Sequence, residues 1–486
     1  MVRSVVLGID SSTQSTKVLA VDVASGEVAG EGRAPHSGRD IQHPNEWWEA
    51  LIAATRMAVS PEMRVEAISV GGQQHGMVAV DGAGNVVRPA PLWNNVAAAP
   101  DAERLNAQAD FAAEIGTRLV ASITIAKLAH LARTAPDDLA RTVAVGLPHD
   151  WLNLQLTGNL ATDRGEASGS GWWSPRDGRL RRDLLALAVG ADMAERLRVP
   201  EVRDPIEPAG TLLPEPAHLL GLDAGIPVGP GTGDNMAAAL GVGAAPDEIV
   251  VSLGTSGTAF SVASHPMHDD DGEVEGFADA TGRFLPLVCM LNCTRVVDTM
   301  ARMAGVSRDE ALQRAGDAAP GAGGMLLMPY LAGERTPNLP TATGSITGLT
   351  SDNANSELLV RAALDGVAAG LAYAVEVLAK LGITAAEVTL VGGGSQHPAW
   401  QQAIADATGV PVVVRGGSEH AARGAAVQAL AIARGESIDS AVAWMRPDVV
   451  ARIEPRAEHR AAFRLEERRH LIAELKAAAA GQMHCE

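Results

Sequence analysis

A short pattern that occurs twice sets the architecture of this 486-residue chain. Near the N-terminus it reads Asp10-Ser11-Ser12-Thr13-Gln14-Ser15-Thr16, and far downstream Ser252-Leu253-Gly254-Thr255-Ser256-Gly257-Thr258. An apolar run precedes each copy, Val5 to Ile9 and Ile249 to Val251, and a β-prone stretch follows each, Val18 to Val23 and Ala259 to Ala263. Each unit is expected to be a hairpin whose small-residue turn offers backbone N–H groups and hydroxyls to an anion. Two such hairpins predict a duplicated α/β fold with a phosphate held between its halves. Asp10 aligns with Ser252, so only the first copy carries a carboxylate.

A chain this long exceeds one ordinary hydrophobic core and predicts two large domains, or three. The apolar fraction of 47% and the 51 glycines fit a soluble α/β enzyme. The loop-like Gly241-Val242-Gly243-Ala244-Ala245-Pro246 is expected to be the hinge, dividing the chain into 1–243 and 244–486, two halves packed closely around a cleft. No apolar run reaches the roughly 18 residues that span a membrane. The first apolar segment runs straight into Asp10, which marks a strand and not a signal peptide, so a cytoplasmic location is expected. A net charge of −19 argues against nucleic acid and against an anionic membrane surface as partners. Neither the P-loop pattern nor a protein-kinase catalytic loop is present, so phosphate chemistry here needs other hardware.

Three cysteines, Cys289, Cys293 and Cys485, make no disulfide framework. Cys289 and Cys293 would share one face if their segment were helical, and they read as buried small apolar side chains rather than a metal pair. Asp269-Asp270-Asp271 reads as a solvated acidic loop. Helical periodicity covers Trp47 to Val59, Asp101 to Leu139, Asp183 to Leu197, Thr294 to Met303, Glu357 to Leu381 and a charged surface helix from His459 to Ala479. Strands are expected at Val65 to Val70 and Val388 to Val391, and a hairpin at 78–87.

Five sites carry chemistry. Asp10 ends a buried strand, where an unpaired charge is costly, and reads as a group that orients Mg²⁺ beside phosphates or as a turn-capping Asp. Gly254 and Gly257 flank Thr255 and Ser256 and permit close backbone approach to phosphate, or form an ordinary tight hairpin. Asp234 follows a glycine-rich loop and opens a helix with Asn235 beside it. It is a helix cap, or a proton acceptor that the helix N-terminus keeps ionised. Gln73-Gln74-His75 lies on a loop with glycine on both sides, where backbone access to a ligand is expected and Gln and His can read sugar hydroxyls. Gly392-Gly393-Gly394-Ser395 follows a strand and could support a flat base, or be a plain strand-to-helix turn.

Taken together, the chain resembles the FGGY family of carbohydrate kinases. The resemblance runs essentially end to end, through Gly8-Ile9-Asp10 with the Thr13 turn, Gly72-Gln73-Gln74-His75-Gly76, Pro91-Leu92-Trp93-Asn94 and Pro148-His149-Asp150-Trp151-Leu152. It continues through Gly233-Asp234-Asn235, the second hairpin, Pro329-Tyr330-Leu331 with Gly333-Glu334-Arg335-Thr336-Pro337, and Gly392-Gly393-Gly394. The resemblance implies two actin-like domains of ribonuclease-H-like topology flanking a catalytic cleft. The N-terminal one (1–243) would bind sugar and carry the base, and the C-terminal one (244–486) would bind ATP. It implies Asp234 as catalytic base, Asp10 near Mg²⁺ and the phosphates, and Gln74, His75, Trp93, Asp234 and Asn235 on the sugar. Thr13, Gly254, Thr255, Gly393, Gly394 and Ser395 would lie on ATP. The implied reaction is phosphorylation of the terminal hydroxyl of a ketopentose, D-xylulose to D-xylulose 5-phosphate, and relatives are often homodimers.

Two departures stand out. The family usually continues Trp-Asn with Asp and, two residues later, Arg; here Asn95 and Ala97 occupy those places. Lys127 keeps a family position, but the Arg and Trp that often follow it are missing. A kinase for another ketose or polyol, and a non-catalytic actin-like sensor of sugar or nucleotide, are the competing readings.

Overall fold

The computed structural model describes residues 2–246 and 248–483. Two seven-stranded sheets organise it. In the first, the order is Gly210–Thr211, Pro227–Val228, Met63–Gly72, Arg3–Ser11, Ser15–Asp22, Val28–Pro35, with Thr232–Gly233 also paired to Met63–Gly72. In the second it is Glu275–Ala278, Phe284–Met290, Gly257–Ser261, Ile249–Leu253, Val388–Val391, Val412–Arg415, Val449–Ile453. Each hairpin sits in the same context. Its first strand runs parallel to a later strand, and its second pairs antiparallel with a third. The duplication expected from the repeated pattern is therefore present in the topology.

The register refines the comparison of the two copies. Asp10 lies opposite Lys17, and Ser252 opposite Thr258. Alternation along a strand places these pairs on equivalent faces. The halves thus differ by the Asp10 carboxylate, as expected, and also by the Lys17 ammonium that faces it.

Two helices join the sheets. Asp234–Val242 crosses His420–Arg434 at a contact made of glycines. A Cβ on Gly424 would stand 1.7 Å from the carbonyl oxygen of Ala237, and one on Gly241 1.9 Å from that of His420. The helix His420–Arg434 also lies directly on the first sheet, where a Cβ on Gly8 would meet the Ala422 oxygen at 2.0 Å. One apolar cluster is consequently shared by the two sheets, with Val6, Ala67 and Met236 beside Val250, Phe260 and Ala426. Gly241 and Val242 belong to the last helical turn, which Gly243 ends in the left-handed conformation at φ 65°. The connection between halves starts two residues later than the hinge read from sequence, because the glycine contact needs a continuous helix through Val242.

Other differences have local causes. The helical pattern over Asp101 to Leu139 is cut into Ala99–Asn106, Phe111–Ile115, Thr124–Thr134 and Pro136–Arg141. Gly116 turns left-handed at φ 78° and Pro136 opens its own helix. The stretch Asp183 to Leu197 likewise divides at Gly190. The strand Val78–Val80 pairs with Ala144–Gly146, and its expected hairpin partner is reduced to one bridge at Val86. Cys289 lies on the strand Phe284–Met290 and Cys293 precedes the helix Thr294–Ala304, so they share no helix face. Both thiols are free, and burial pushes Cys293 up to about 12 and Cys289 further still. Cys485 lies outside the described residues. Asp269 spends its carboxylate on the N–H groups of Glu273 and Val274, at 2.7 and 3.1 Å, beside the exposed Asp270 and Asp271. The helix Ser356–Lys380 is long and apolar enough to cross a membrane, but 72% of its apolar window is buried, as the central helix of the second half.

Candidate active site

The run Val5 to Ile9 is fully buried in the first sheet, and it delivers Asp10, 4% exposed, to the strand end. Its Oδ2 accepts from Ser12 Oγ at 3.2 Å and faces Lys17 Nζ at 3.4 Å, while Oδ1 has no partner. Lys17 Nζ also meets Glu419 Oε2 at 2.6 Å, just before the helix His420–Arg434. Burial raises the Asp10 pKa above the usual carboxylate range, Lys17 opposes that, and Glu419 adds to it. Burial works against charge on Lys17, but Asp10 and Glu419 outweigh it and hold the ammonium above its ordinary value. Thr13, in the turn, accepts from Trp93 Nε1 at 2.9 Å and donates to Gln73 Oε1 at 3.2 Å.

The strand Met63–Gly72 leads into Gln73, Gln74 and His75, all buried. His75 adopts φ 64°, a left-handed conformation that costs a side-chain-bearing residue on the order of 1–3 kcal/mol. Its carbonyl is held by Lys127 Nζ at 3.0 Å and Thr124 Oγ1 at 3.2 Å. Lys127 is therefore an anchor of this loop, and burial holds its amine well below the usual lysine range. Burial, with Lys127 and Arg335 nearby, lowers His75 to about 3, so the ring is neutral. A carbonyl can only accept, so Nδ1–H donates to Gly169 O at 3.0 Å.

The flanking glycines serve packing rather than ligand access, contrary to the sequence reading. A Cβ on Gly72 would strike His149 Cβ at 2.7 Å, and one on Gly76 would strike Pro148 Cγ at 2.6 Å. Both neighbours belong to the helix Pro148–Thr157, which therefore fixes the loop from behind.

Asp234 begins the helix Asp234–Val242, but Gly233 holds the cap position and no side chain caps it. Asp234 is half-buried at the cleft. Asn235 Nδ2 donates to Asp234 Oδ1 at 3.1 Å and to Gln74 Oε1 at 2.8 Å, and its Oδ1 accepts from Thr258 Oγ1 at 2.9 Å. One amide thus ties the Gln73–His75 loop, the candidate base and the second hairpin together. The expectation that the helix N-terminus keeps Asp234 ionised is overturned. Burial, reinforced by the charge of Asp10, raises its pKa to about 7. The local N–H groups and Lys17 pull the other way and lose.

On the opposite wall, Thr294 Oγ1 donates to Gly254 O at 2.8 Å and Cys293 N–H to Thr255 O at 3.3 Å, so the helix Thr294–Ala304 starts against the second hairpin turn. Gly392–Ser395 closes the same corner. A Cβ on Gly394 would press on Leu253 Cβ at 3.0 Å and Thr294 Cγ2 at 3.2 Å, whereas the face of Gly393 is open. Ser395 is buried and spends its hydroxyl on Gly392 O at 2.8 Å. Asp10 Oδ1, Gln73 Nε2, Gln74 Nε2 and both carboxyl oxygens of Glu166 are buried without partners. Such groups are rare in folded proteins and mark places where a ligand or water completes the bonding.

The sequence profiles of the FGGY family of carbohydrate kinases match this chain over residues 5–241 for the N-terminal domain and 249–433 for the C-terminal domain. The chain belongs to the FGGY family of carbohydrate kinases. Among similar proteins, a xylulose kinase of Streptomyces rubiginosus is 45% identical over 441 residues, 89% of this kinase and 88% of the relative. A xylulose kinase of Escherichia coli is 34% identical over 425 residues, 85% and 87% of the two chains. The crystal structure of xylulose kinase from Bifidobacterium adolescentis superposes with a TM-score of 0.82 at 33% identity, covering 96% of this kinase and all of that chain. The two-domain kinase fold implied by the sequence resemblance is thereby established.

Sequence reasoning missed Lys17, Glu419 and Glu166. Lys17 could have been found by counting the hairpin register outward from its turn. Glu419 is far away in the chain and has no local signature.

Proposed function

We propose that this kinase transfers the γ-phosphoryl group of ATP to the terminal hydroxyl of D-xylulose, with Asp234 as general base, giving D-xylulose 5-phosphate. The observation that carries this reading is the position of Asp234 at the meeting of three elements. Asn235 links it to the sugar-side loop and the second hairpin, and Asp10 is near enough to perturb its pKa. The named xylulose kinases among the relatives support the choice of sugar. Asp234 would take the hydroxyl proton as that oxygen attacks the γ-phosphorus, and the bond to the bridging oxygen of ADP breaks. Gln74 and His75 would orient the sugar, and the turns around Thr13, Thr255 and Gly393 would receive the phosphates and the nucleotide. Lys17 and the turn N–H groups would offset the charge on the phosphoryl oxygens, so that positioning and electrostatics supply most of the acceleration.

The residues fit Mg²⁺. Asp10 presents one unpartnered carboxylate oxygen, and this ion commonly takes one or two protein carboxylates and completes its shell with substrate phosphates and water. When bound, it would neutralise charge on the phosphates. We assign 1–243 to the sugar-binding domain and 244–486 to the nucleotide-binding domain of a cytoplasmic enzyme. The halves touch beyond the cleft, with Gly276 N–H on Gly116 O at 2.8 Å and Ala278 N–H on Ser168 Oγ at 3.1 Å. Contacts of this kind would exclude water from the phosphoryl group.

Asn95 and Ala97 favour a second reading, a kinase acting best on another ketose or on a polyol. A panel of sugars assayed for ADP release separates them: D-xylulose is expected to give the highest kcat/KM. A higher value for another sugar overturns the substrate, and no turnover with any sugar overturns the enzyme reading. The raised pKa adds a pH test. A base must be unprotonated, so kcat/KM for the sugar is expected to rise about tenfold per pH unit below about 7 and to level above it. A flat profile from pH 5 to 8 contradicts the assignment of Asp234.

A further inference from the structure

The departure from the family pattern at residue 95 is filled by a specific contact. Asn95, 8% exposed, donates from Nδ2 to Asp40 Oδ2 at 2.8 Å, and its Oδ1 accepts from the Ala97 N–H at 3.2 Å. The Asn95 N–H closes a turn onto Leu92 O at 3.1 Å, and the Leu92 N–H reaches Asp40 O at 2.9 Å. Asp40 therefore grips the turn 92–95 twice, through its side chain and through its carbonyl. A carboxylate at position 95, usual in the family, would stand at hydrogen-bonding distance from the Asp40 carboxylate with no proton between them. An amide provides the donor.

Asp40 belongs to a segment that also clasps the phosphate-side turn. The His36 N–H donates to Gln14 O at 2.7 Å. Gln42 Nε2 donates to Thr13 O at 2.9 Å, and its Oε1 is fixed by Trp47 Nε1 at 2.7 Å. Ile41–Gln42 pairs antiparallel with Ala90–Pro91, immediately before the turn that carries Trp93. Thr13 is thus held on two sides, its carbonyl by Gln42 and its hydroxyl by Trp93. Gln42 lies in this two-stranded ribbon, and Trp93 follows it by two residues, at the end that Asp40 and Asn95 tie.

We propose that the Asp40–Asn95 hydrogen bond is a positioning contact that fixes Trp93 against Thr13 and so sets the sugar-side wall of the cleft, in place of the family's carboxylate and guanidinium at positions 95 and 97. The inference rests on the reading of Trp93 as a sugar contact, and the test keeps the two apart. Four variants are compared by steady-state kinetics with D-xylulose and by ADP titration calorimetry: Asn95→Asp, Asp40→Ala, Trp93→Ala, and the exchange Asp40→Asn with Asn95→Asp. Asp40 is exposed, so its truncation spares the core.

Asn95→Asp and Asp40→Ala are expected to raise the sugar KM about tenfold, within the range of coupling between touching groups, with kcat and the ADP Kd nearly unchanged. The exchange variant restores a donor–acceptor pair and is expected to recover most of that loss. If Trp93→Ala leaves the sugar KM at its native value, the placement of Trp93 on the sugar fails. If Trp93→Ala raises it while Asn95→Asp and Asp40→Ala do not, the positioning contact fails. Equal losses of sugar and ADP affinity in Asn95→Asp, or no rescue by the exchange, also overturn the proposal, because a merely structural contact would behave so.

Discussion

Asp234→Ala is expected to cut sugar-dependent ADP release by about 10²- to 10⁴-fold, the usual contribution of a positioned base, while ADP still binds with native affinity. The separation is expected because the contact of Thr294 with Gly254, on the wall proposed to receive the nucleotide, is made without the Asp234 carboxyl. Coupled-enzyme kinetics and calorimetry read the two quantities, and near-normal turnover removes Asp234 from the mechanism. A stability measurement checks the same residue without catalysis. The fold raises the Asp234 pKa from 3.8 to about 7, so the folded state holds a proton that the unfolded chain would release earlier. Stability from this group is present in full below pH 3.8 and is lost as pH rises towards about 7. Asp234→Asn carries no such penalty, so it is expected to raise Tm relative to the native protein at pH 8 and not at pH 4.

Gly424→Ala is expected to destabilise the protein by roughly 1–3 kcal/mol or more, as overpacking does when a methyl group enters a filled contact. The added Cβ would stand 1.7 Å from the Ala237 carbonyl oxygen, and nothing flexible lies between. The helices must part, and one of them begins with Asp234. A lower urea midpoint and a reduced kcat should therefore appear together. Unchanged stability would mean that the crossing has room to open, and lower stability with native kcat would mean that the base is held independently of the crossing.

The hairpins were legible because their signal is local. An apolar run, a turn of small residues and a β-prone return fix a two-stranded unit within about twenty residues, and duplication made the pairing of halves readable as well. Asp10 and Asp234 were legible for the same reason, each sitting at the end of an element that the sequence delimits. What escaped lies in tertiary packing. The glycines beside Gln73 and His75 looked like access for a ligand, yet the helix Pro148–Thr157 occupies the space they free. The helix N-terminus at Asp234 suggested a low pKa, but burial, with the charge of Asp10 adding to it, outweighs a dipole that the sequence can display. Glu419 adds a second carboxylate at Lys17 from a distant part of the chain. The partner of Asn95 could not be named from sequence either, since Asp40 looks like any exposed turn residue until the ribbon at Ile41–Gln42 folds back.

Neutral, and committed through Nδ1–H to Gly169, His75 keeps its other ring nitrogen as a lone-pair acceptor from pH 6 to pH 8. Such a nitrogen cannot donate. It favours a ligand atom that carries an O–H and disfavours one that carries fluorine, an ether or a carbonyl oxygen. With His75 on the sugar as proposed, deoxyfluoro and O-methyl analogues of the ketose, taken carbon by carbon, are expected to report which hydroxyl this ring reads, and the discrimination should not fade between pH 6 and pH 8.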